Sequence, residues 1–168
     1  SRIGGGKLFD NQFTKEVSDL SEQIKTAVFT EAIIAHKKYG KIFAFEVNGF
    51  GSFNLMDDAN VPSLLSLPYL DAVKASDPMY QNTRQFVLSE NNPFYFKGKA
   101  GEGIGGPHTG INTIWPLSIV MRGLTSADDK EIKTCLDLLQ KAHAATGFMH
   151  ESFDKDDPAR FTRKWFAW

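Results

Sequence analysis

Apolar residues at helical spacing run through much of this chain, and three short polar segments interrupt them. These segments are residues 56–60, 101–110 and 147–153, and they are rich in acidic, amide, histidine and aromatic side chains. Polar side chains that recur between helical runs predict helix pairs whose connecting loops meet at one end of the fold. Because loops on a rigid scaffold often carry binding and catalytic groups, we expect a single concave site built from the three segments.

The helical runs predict a mainly α fold. Residues 10–38 carry apolar side chains mostly three or four positions apart, which predicts one long helix that Gly40 ends. Further helices are expected after Val61-Pro62, after Asp77-Pro78, over residues 111–124, from Thr125 or Ser126 to Gly147, and after Asp157-Pro158. This organisation suits an α/α toroid, in which paired helices form concentric rings, and a four- or five-helix bundle is the alternative.

One short β-hairpin is expected within the helical pattern. Residues 42–47 read as a strand, Asn48-Gly49 is a strong turn signal, and residues 50–55 read as the returning strand. The hairpin leads directly into the first polar segment. Residues 90–110 are expected to be irregular, and a segment of that kind within a compact domain is usually functional or disordered.

The composition narrows the possible partners. A length of 168 residues is enough for one domain, and a formal net charge of −1 gives no electrostatic basis for binding nucleic acid or an anionic membrane. The lone Cys135 excludes an intrachain disulfide and a cysteine-based zinc site, and it leaves the cellular compartment open. Aromatic residues make up 12% of the chain and many lie in the polar segments, which suits a sugar ligand, although a Phe-rich core is the alternative.

The first two polar segments offer candidate binding groups. Asp57 and Asp58 are adjacent, so one can bind substrate hydroxyls while the other has its pKa raised; the alternative is that Asp58 or Asn60 simply caps the next helix. The glycines around Glu102 and His108 let the backbone approach a ligand, but no Lys-Ser/Thr follows them as in a phosphate loop. A structural loop with a hydrogen-bonded His108 is the alternative.

The third segment offers a candidate acid or base. His150-Glu151 lies among Phe148, Met149 and Phe153, and apolar surroundings are expected to raise the proton affinity of a carboxylate. A metal site built from His108, His150, Glu151 and Asp57 is a less favoured alternative. No second His stands at the spacing of a helical metalloprotease motif.

At this point the residues resemble a known family. Five strings carry the resemblance, at residues 56–65 (MDDANVPSLL), 89–96 (SENNPFYF), 101–109 (GEGIGGPHT), 147–153 (GFMHESF) and 161–168 (FTRKWFAW). Together they resemble glycoside hydrolase family 125, from about residue 41 to the end of the chain. The resemblance implies an exo-α-1,6-mannosidase on an (α/α)6 barrel that acts with inversion, without a metal and without a cofactor.

The resemblance also implies how much of the enzyme is here. It matches Glu151 to the general base, whereas the family's general acid is an Asp in a Ser-Asp-Asp-Ala-like motif that this chain lacks. Because the chain also begins without Met and ends on apolar residues, we expect residues 1–168 to be the C-terminal half of one (α/α)6 catalytic domain, inactive in isolation. The missing N-terminal half or a second copy is then the expected protein partner.

Loop position and residue type predict the substrate contacts. We expect the hydroxyls of an α-1,6-linked mannoside, or of another mannose-containing glycan, to be held by Asp57, Asp58, His108, His150 and Arg163. Trp115 or Trp165 is expected to cover an apolar sugar face. A non-catalytic carbohydrate-binding module or an inactive helical fragment remains the alternative, with no role for nucleic acid or membrane in either case.

Overall fold

The computed structural model describes residues 11–166. Within that range the chain forms four helices, α1 (Asn11–Glu31), α2 (Pro78–Val87), α3 (Pro116–Leu124) and α4 (Asp129–Ala142). Nine short strands lie between and after them: β1 (Ile33–His36), β2 (Gly40–Phe43), β3 (Glu46–Val47), β4 (Phe53–Asn54), β5 (Tyr95–Lys97), β6 (Glu102–Ile104), β7 (Thr113–Ile114), β8 (Ser152–Asp154) and β9 (Phe161–Thr162). The strands are more numerous than the one hairpin expected from the sequence.

All strand pairs in the described part of the chain are antiparallel. β1 pairs with β2, β3 with β4 and β5 with β6, and β8 lies between β7 and β9 in a three-stranded sheet. The β3–β4 pair is the predicted hairpin, with the turn at Asn48-Gly49, although the strands are shorter than expected.

The first long helix is shorter than its periodicity predicts. It ends at Glu31, and residues 33–43 form the β1–β2 hairpin instead. The β-branched pair Ile33-Ile34 favours a strand over a helix. Gly40 has a φ of +77° and lies opposite His36, so it belongs to a hairpin rather than to a helix end.

Two other expected helices are absent from the described residues. After Pro62 the chain forms turns, in which the backbone N–H of Ser66 donates to the hydroxyl of Ser63 and that of Ser63 to the hydroxyl of Ser66. Such side-chain bonds compete with helix formation. After Asp157 a turn connects β8 to β9, with the N–H of Arg160 bonded to the carbonyl of Asp157.

The remaining helix predictions are confirmed with shifted boundaries. α2 begins at Pro78 as expected, and the carboxylate of Asp77 accepts from the N–H groups of Met79 and Tyr80. α3 begins only at Pro116, because residues 113–114 are a strand. The side-chain cap of α4 is Asp128 rather than Thr125 or Ser126.

Two apolar clusters lie beneath these elements. The larger joins β2, the 64–65 turn, α2, β6 and α3, through Ile42, Phe43, Leu64, Leu65, Phe86, Val87, Ile104 and Met121. The smaller joins the three-stranded sheet to α3 and α4, through Ile114, Ile119, Cys135, Ala142 and Phe153. The second cluster therefore fixes the sheet on a helical base.

An ionic network ties the helices to β6. Glu131 on α4 binds the guanidinium groups of Arg84 and Arg122, each at 2.8 Å. Arg122 also reaches Glu102 at 3.0 Å. Burial alone would raise the pKa of Glu131, but hydrogen bonds from Ser126 and the two arginines outweigh it and lower the pKa to about 2.

Helix α1 differs from the other helices. None of its residues is buried, and Val17, Leu20, Ile24 and Val28 expose an apolar stripe at helical spacing. Its C-terminal end contacts the core where the ring of Phe29 meets that of Phe43 edge to face. No helix within residues 11–166 is long and apolar enough to cross a membrane.

Candidate active site

The three-stranded sheet gathers three of the predicted site residues at one end. Trp115 follows β7, Glu151 precedes β8 and Arg163 follows β9. Since Ser152 pairs with Thr162, the antiparallel register places Glu151 opposite Arg163, and the pairing of Ile114 with Phe153 places Trp115 one position away, at the same end of the sheet. Strand pairing thus assembles residues that are up to 48 positions apart in sequence.

Glu151 and Arg163 are in contact at this end. The Nε of Arg163 lies 3.5 Å from Oε2 of Glu151, and the N–H of Glu151 donates to the carbonyl of Thr162 at 3.2 Å. The Glu151 side chain is only 12% exposed, whereas that of Arg163 is 65% exposed. The carboxylate is therefore held and largely shielded while its cationic partner faces solvent.

Phe166 connects this pair to Trp115. The guanidinium carbon of Arg163 lies 5.1 Å from the centre of the Phe166 ring, and that ring meets Trp115 edge to face at 6.2 Å between centroids. The N–H of Phe166 donates to the carbonyl of Met149, which anchors the 163–166 segment beside the Glu151 loop. Sequence reasoning missed Phe166, although it lies in the last string that carries the family resemblance.

Trp115 also fixes the loop that carries His108. Its indole N–H donates to the hydroxyl of Thr109 at 2.7 Å. The hydroxyls of Thr109 and Thr113 are 2.8 Å apart, and Thr113 donates to the carbonyl of Gly110. His108 is exposed in this loop, so the loop is anchored from within while its tip faces solvent.

The glycine pair 105–106 connects Trp115 to the first polar segment. The N–H of Trp115 donates to the carbonyl of Ile104, and the N–H of Ala59 donates to that of Gly105. A Cβ on Gly105 would overlap the carbonyl of Thr113, so glycine is needed for the strands to approach. A Cβ on Gly106 would lie 3.7 Å from that of Asp58, an ordinary contact. A backbone bond therefore joins the first and second polar segments directly, and β7 links the second segment to the third through its pairing with β8.

Asp58 is largely buried at this junction. It is 8% exposed, and its Oδ1 accepts from the backbone N–H of Asn60 at 2.7 Å. The amide of Asn60 approaches its Oδ2 at 3.3 Å. The carboxylate of Asp58 borders the glycine pair 105–106, which connects this segment to Trp115.

Asp57 has a structural role instead of the predicted sugar contact. The carboxylate is fully buried, and its two oxygens accept from the N–H groups of Leu64 and Leu65 at 2.8 and 3.0 Å. Burial raises its pKa to about 8, against the opposing effect of those two bonds. Asp57 therefore anchors the 64–65 turn, whereas the cap was expected from Asp58 or Asn60, on a helix that does not form in this part of the described chain.

His150 also departs from its predicted role. Its ring is buried and stacks on Phe161 at 3.7 Å between centroids. Nδ1 donates to the carbonyl of Lys164 at 2.7 Å, and Nε2 lies 3.3 Å from that of His143. The imidazole thus joins the end of α4 to the segment after β9, which leaves it unsuited to hold a sugar hydroxyl.

The last two predicted site residues, Trp165 and His108, are exposed to solvent, unlike the shielded Glu151. Trp165 is 67% exposed although it lies between Arg163 and Phe166, and His108 is exposed as described. Across residues 11–166, no three His, Cys, Asp or Glu side chains are grouped so that they could hold a metal ion. The alternative metal site of His108, His150, Glu151 and Asp57 is therefore not assembled.

Comparison with known families shows which family this chain belongs to. The family described as metal-independent alpha-mannosidase (GH125) matches residues 6–168. The chain belongs to glycoside hydrolase family 125. The family resemblance of the five sequence strings is thus confirmed over nearly the whole chain.

Two relatives are similar over most of this GH125 chain. The meiotically up-regulated gene 157 protein of Schizosaccharomyces pombe is 51% identical over 149 residues, which are 88% of this chain and 29% of that protein. A solved Streptococcus pneumoniae metal-independent alpha mannosidase, in a non-productive complex with alpha-1,6-mannobiose, has a TM-score of 0.90 and 41% identity over 95% of this chain and 38% of its own. This chain therefore spans about a third of the length of these relatives.

Proposed function

We propose that the full-length protein is an inverting exo-α-1,6-mannosidase and that this chain supplies its general base, Glu151. The observation that carries the proposal is the shielded Glu151 carboxylate, paired with the solvent-facing Arg163 at the end of the three-stranded sheet. Family membership supports glycoside hydrolysis, and the solved relative in complex with alpha-1,6-mannobiose supports the substrate class.

Glu151 acts on a water molecule in this mechanism. Inverting glycosidases use two carboxyl groups about 6.5–9.5 Å apart, which leaves room for the water. Arg163 engages Oε2 of Glu151, so we assign Oε1 as the oxygen that takes the proton. The resulting hydroxide-like oxygen attacks the anomeric carbon, and the bond to the leaving sugar breaks as an acid outside this chain protonates its oxygen.

The neighbouring side chains bind the sugar. Asp58 accepts hydrogen bonds from mannose hydroxyls, and Arg163 donates to a hydroxyl while it orients Glu151. Phe166, which is half-buried, supplies aromatic surface for an apolar sugar face, whereas Trp115 is only 2% exposed and supports the Phe166 ring from beneath instead of covering the sugar as predicted. His108 and Trp165, which are exposed, contact the substrate from the rim of the site.

The whole catalytic domain is an (α/α)6 barrel to which this chain contributes a C-terminal part, shorter than the half expected from the sequence. The exposed apolar stripe of α1 supports this proposal, because an unburied stripe of that kind usually packs against another element. The length of the solved relative, of which this chain matches 38%, leaves room for such elements.

The decisive test is hydrolysis of α-1,6-mannobiose by the full-length protein, followed by proton NMR. We expect β-mannose to appear first from the α-linked substrate, because inversion changes the anomeric configuration once. The 168-residue chain alone serves as the control and is expected to be inactive. Binding of the disaccharide by the full-length protein without any hydrolysis would favour the non-catalytic alternative, and α-mannose as the first product would exclude inversion.

A further inference from the structure

The buried side chain of Asn92 is a part of the molecule to which the mechanism above gives no role. It is 1% exposed, and its amide makes three hydrogen bonds to backbone groups. Oδ1 accepts from the N–H of Asp57 at 3.1 Å and from that of Phe94 at 3.2 Å. Nδ2 donates to the carbonyl of Val87 at 3.0 Å, at the end of α2.

These bonds form part of a closed circuit around Asp58. From Asn92 the circuit passes through Asp57 and Asp58 to Ala59, whose N–H donates to the carbonyl of Gly105 at 2.9 Å. The N–H of Gly105 donates to the carbonyl of Phe94 at 2.8 Å, and the N–H of Phe94 returns to Asn92. Asp58 is thus held between two fixed neighbours and against Gly106.

We propose that Asn92 is a positioning residue for the Asp58 carboxylate. The Asn92 amide fixes the two chain segments that lie beside Asp58, and it ties both segments to α2. The inference rests on the proposed function, in which Asp58 binds a mannose hydroxyl. Since displacement of a binding group by about 1 Å can cost up to about 100-fold in rate, loss of Asn92 should affect the substrate even though the side chain lies beneath the site.

The test compares Asn92→Ala with Thr83→Val in the full-length protein. Thr83 is a matched control because it is also buried and its hydroxyl accepts from a backbone N–H, that of Phe43 at 3.0 Å, and it lies on α2 outside the circuit. Kinetics on α-1,6-mannobiose are measured well below the lowest melting temperature of the set. Asn92→Ser is read by the same criteria if Asn92→Ala does not fold.

We expect both variants to lower Tm and only the Asn92 variant to raise KM. Its kcat/KM should fall about 10- to 100-fold, with the larger part in KM. A crystal structure of the variant should show the Asp58 carboxylate displaced from Gly106. Unchanged KM with a lower Tm, or Asp58 in its original place, would reduce Asn92 to a purely structural residue and overturn the inference. If the unmutated protein does not hydrolyse the disaccharide, the proposed function fails, and the position of Asp58 in the variant alone decides the inference.

Discussion

Two adjacent carboxylates in this chain lie in different surroundings. Asp57 is fully buried and bound to two backbone N–H groups, whereas Asp58 retains some exposure beside the glycine pair. The sequence shows only two adjacent acids in a loop. It cannot tell which of them binds backbone N–H groups and which is the candidate sugar ligand. His150 was misassigned for a similar reason, since its carbonyl partners come from residues 143 and 164.

The buried Asp57 should make stability depend on pH. Its pKa is raised to about 8 in the folded protein from 3.8, so the folded state retains a proton that the unfolded state has lost between these values. The free energy of unfolding should therefore fall as pH rises from about 4 to 8, by at most about 1.4 kcal/mol per pH unit. Urea unfolding of the full-length protein at several pH values measures this fall in the free energy of unfolding.

Asp57→Asn should remove that slope. The variant should be less stable at pH 5 by about 1–3 kcal/mol, because one buried N–H loses its acceptor, and the deficit should shrink toward pH 8. Asp77→Asn, which alters the half-buried cap of α2, is the control for loss of a carboxylate cap. A deficit that grows from pH 5 to pH 8 would contradict the assigned pKa.

At the scale of elements, close approach of β6 to β7 determines whether the site forms. Gly105→Ala would drive a methyl group into the carbonyl of Thr113, so we expect a loss of about 1–3 kcal/mol in stability and a loss of activity. Thermal unfolding of the full-length protein measures the first effect. Gly106→Ala is the matched control, since its methyl group finds ordinary contact distance and should leave Tm nearly unchanged; equal Tm values would show that the strands adjust.

The ionic network around Glu131 should make the free energy of unfolding decrease at acid pH. The pKa of Glu131 is lowered to about 2, so its contribution is present above about pH 4.5 and is lost as pH falls toward 2. Glu131→Gln should be less stable than the wild type at pH 7 and should lose less on acidification. Asp137→Asn breaks an exposed pair on the same helix and should cost less than about 1 kcal/mol. Parallel acid curves for wild type and Glu131→Gln would contradict this role.

The elements divide into those that local sequence predicts and those that it does not. Proline at the first helical position predicts α2, and Asn48-Gly49 predicts the β3–β4 hairpin. The strands of two or three residues around the site were not foreseen, because period-two alternation cannot be recognised over so few positions. Pairing between residues 113–114 and 153–154 is a long-range property that local patterns do not contain.

At the scale of the whole molecule, α1 is the element whose apolar face most needs explanation. We expect Leu20→Ser with Ile24→Ser to lower the Tm of the full-length protein by several degrees, because these side chains are buried in the proposed barrel. In the isolated chain the same pair should reduce self-association with little loss of stability. Glu22→Ser with Thr26→Ser on the same helix is the control, and an unchanged Tm for the apolar pair in the full-length protein would argue against the barrel.

Glu151→Gln in the full-length protein tests the central assignment most directly. The amide keeps the size of the side chain and removes the basic oxygen, so hydrolysis of α-1,6-mannobiose should fall by about 10²–10⁴-fold while binding persists. Azide, which needs no base, should restore part of the turnover on an activated α-mannoside and yield β-mannosyl azide. Turnover of α-1,6-mannobiose near the wild-type rate would show that Glu151 is not the base.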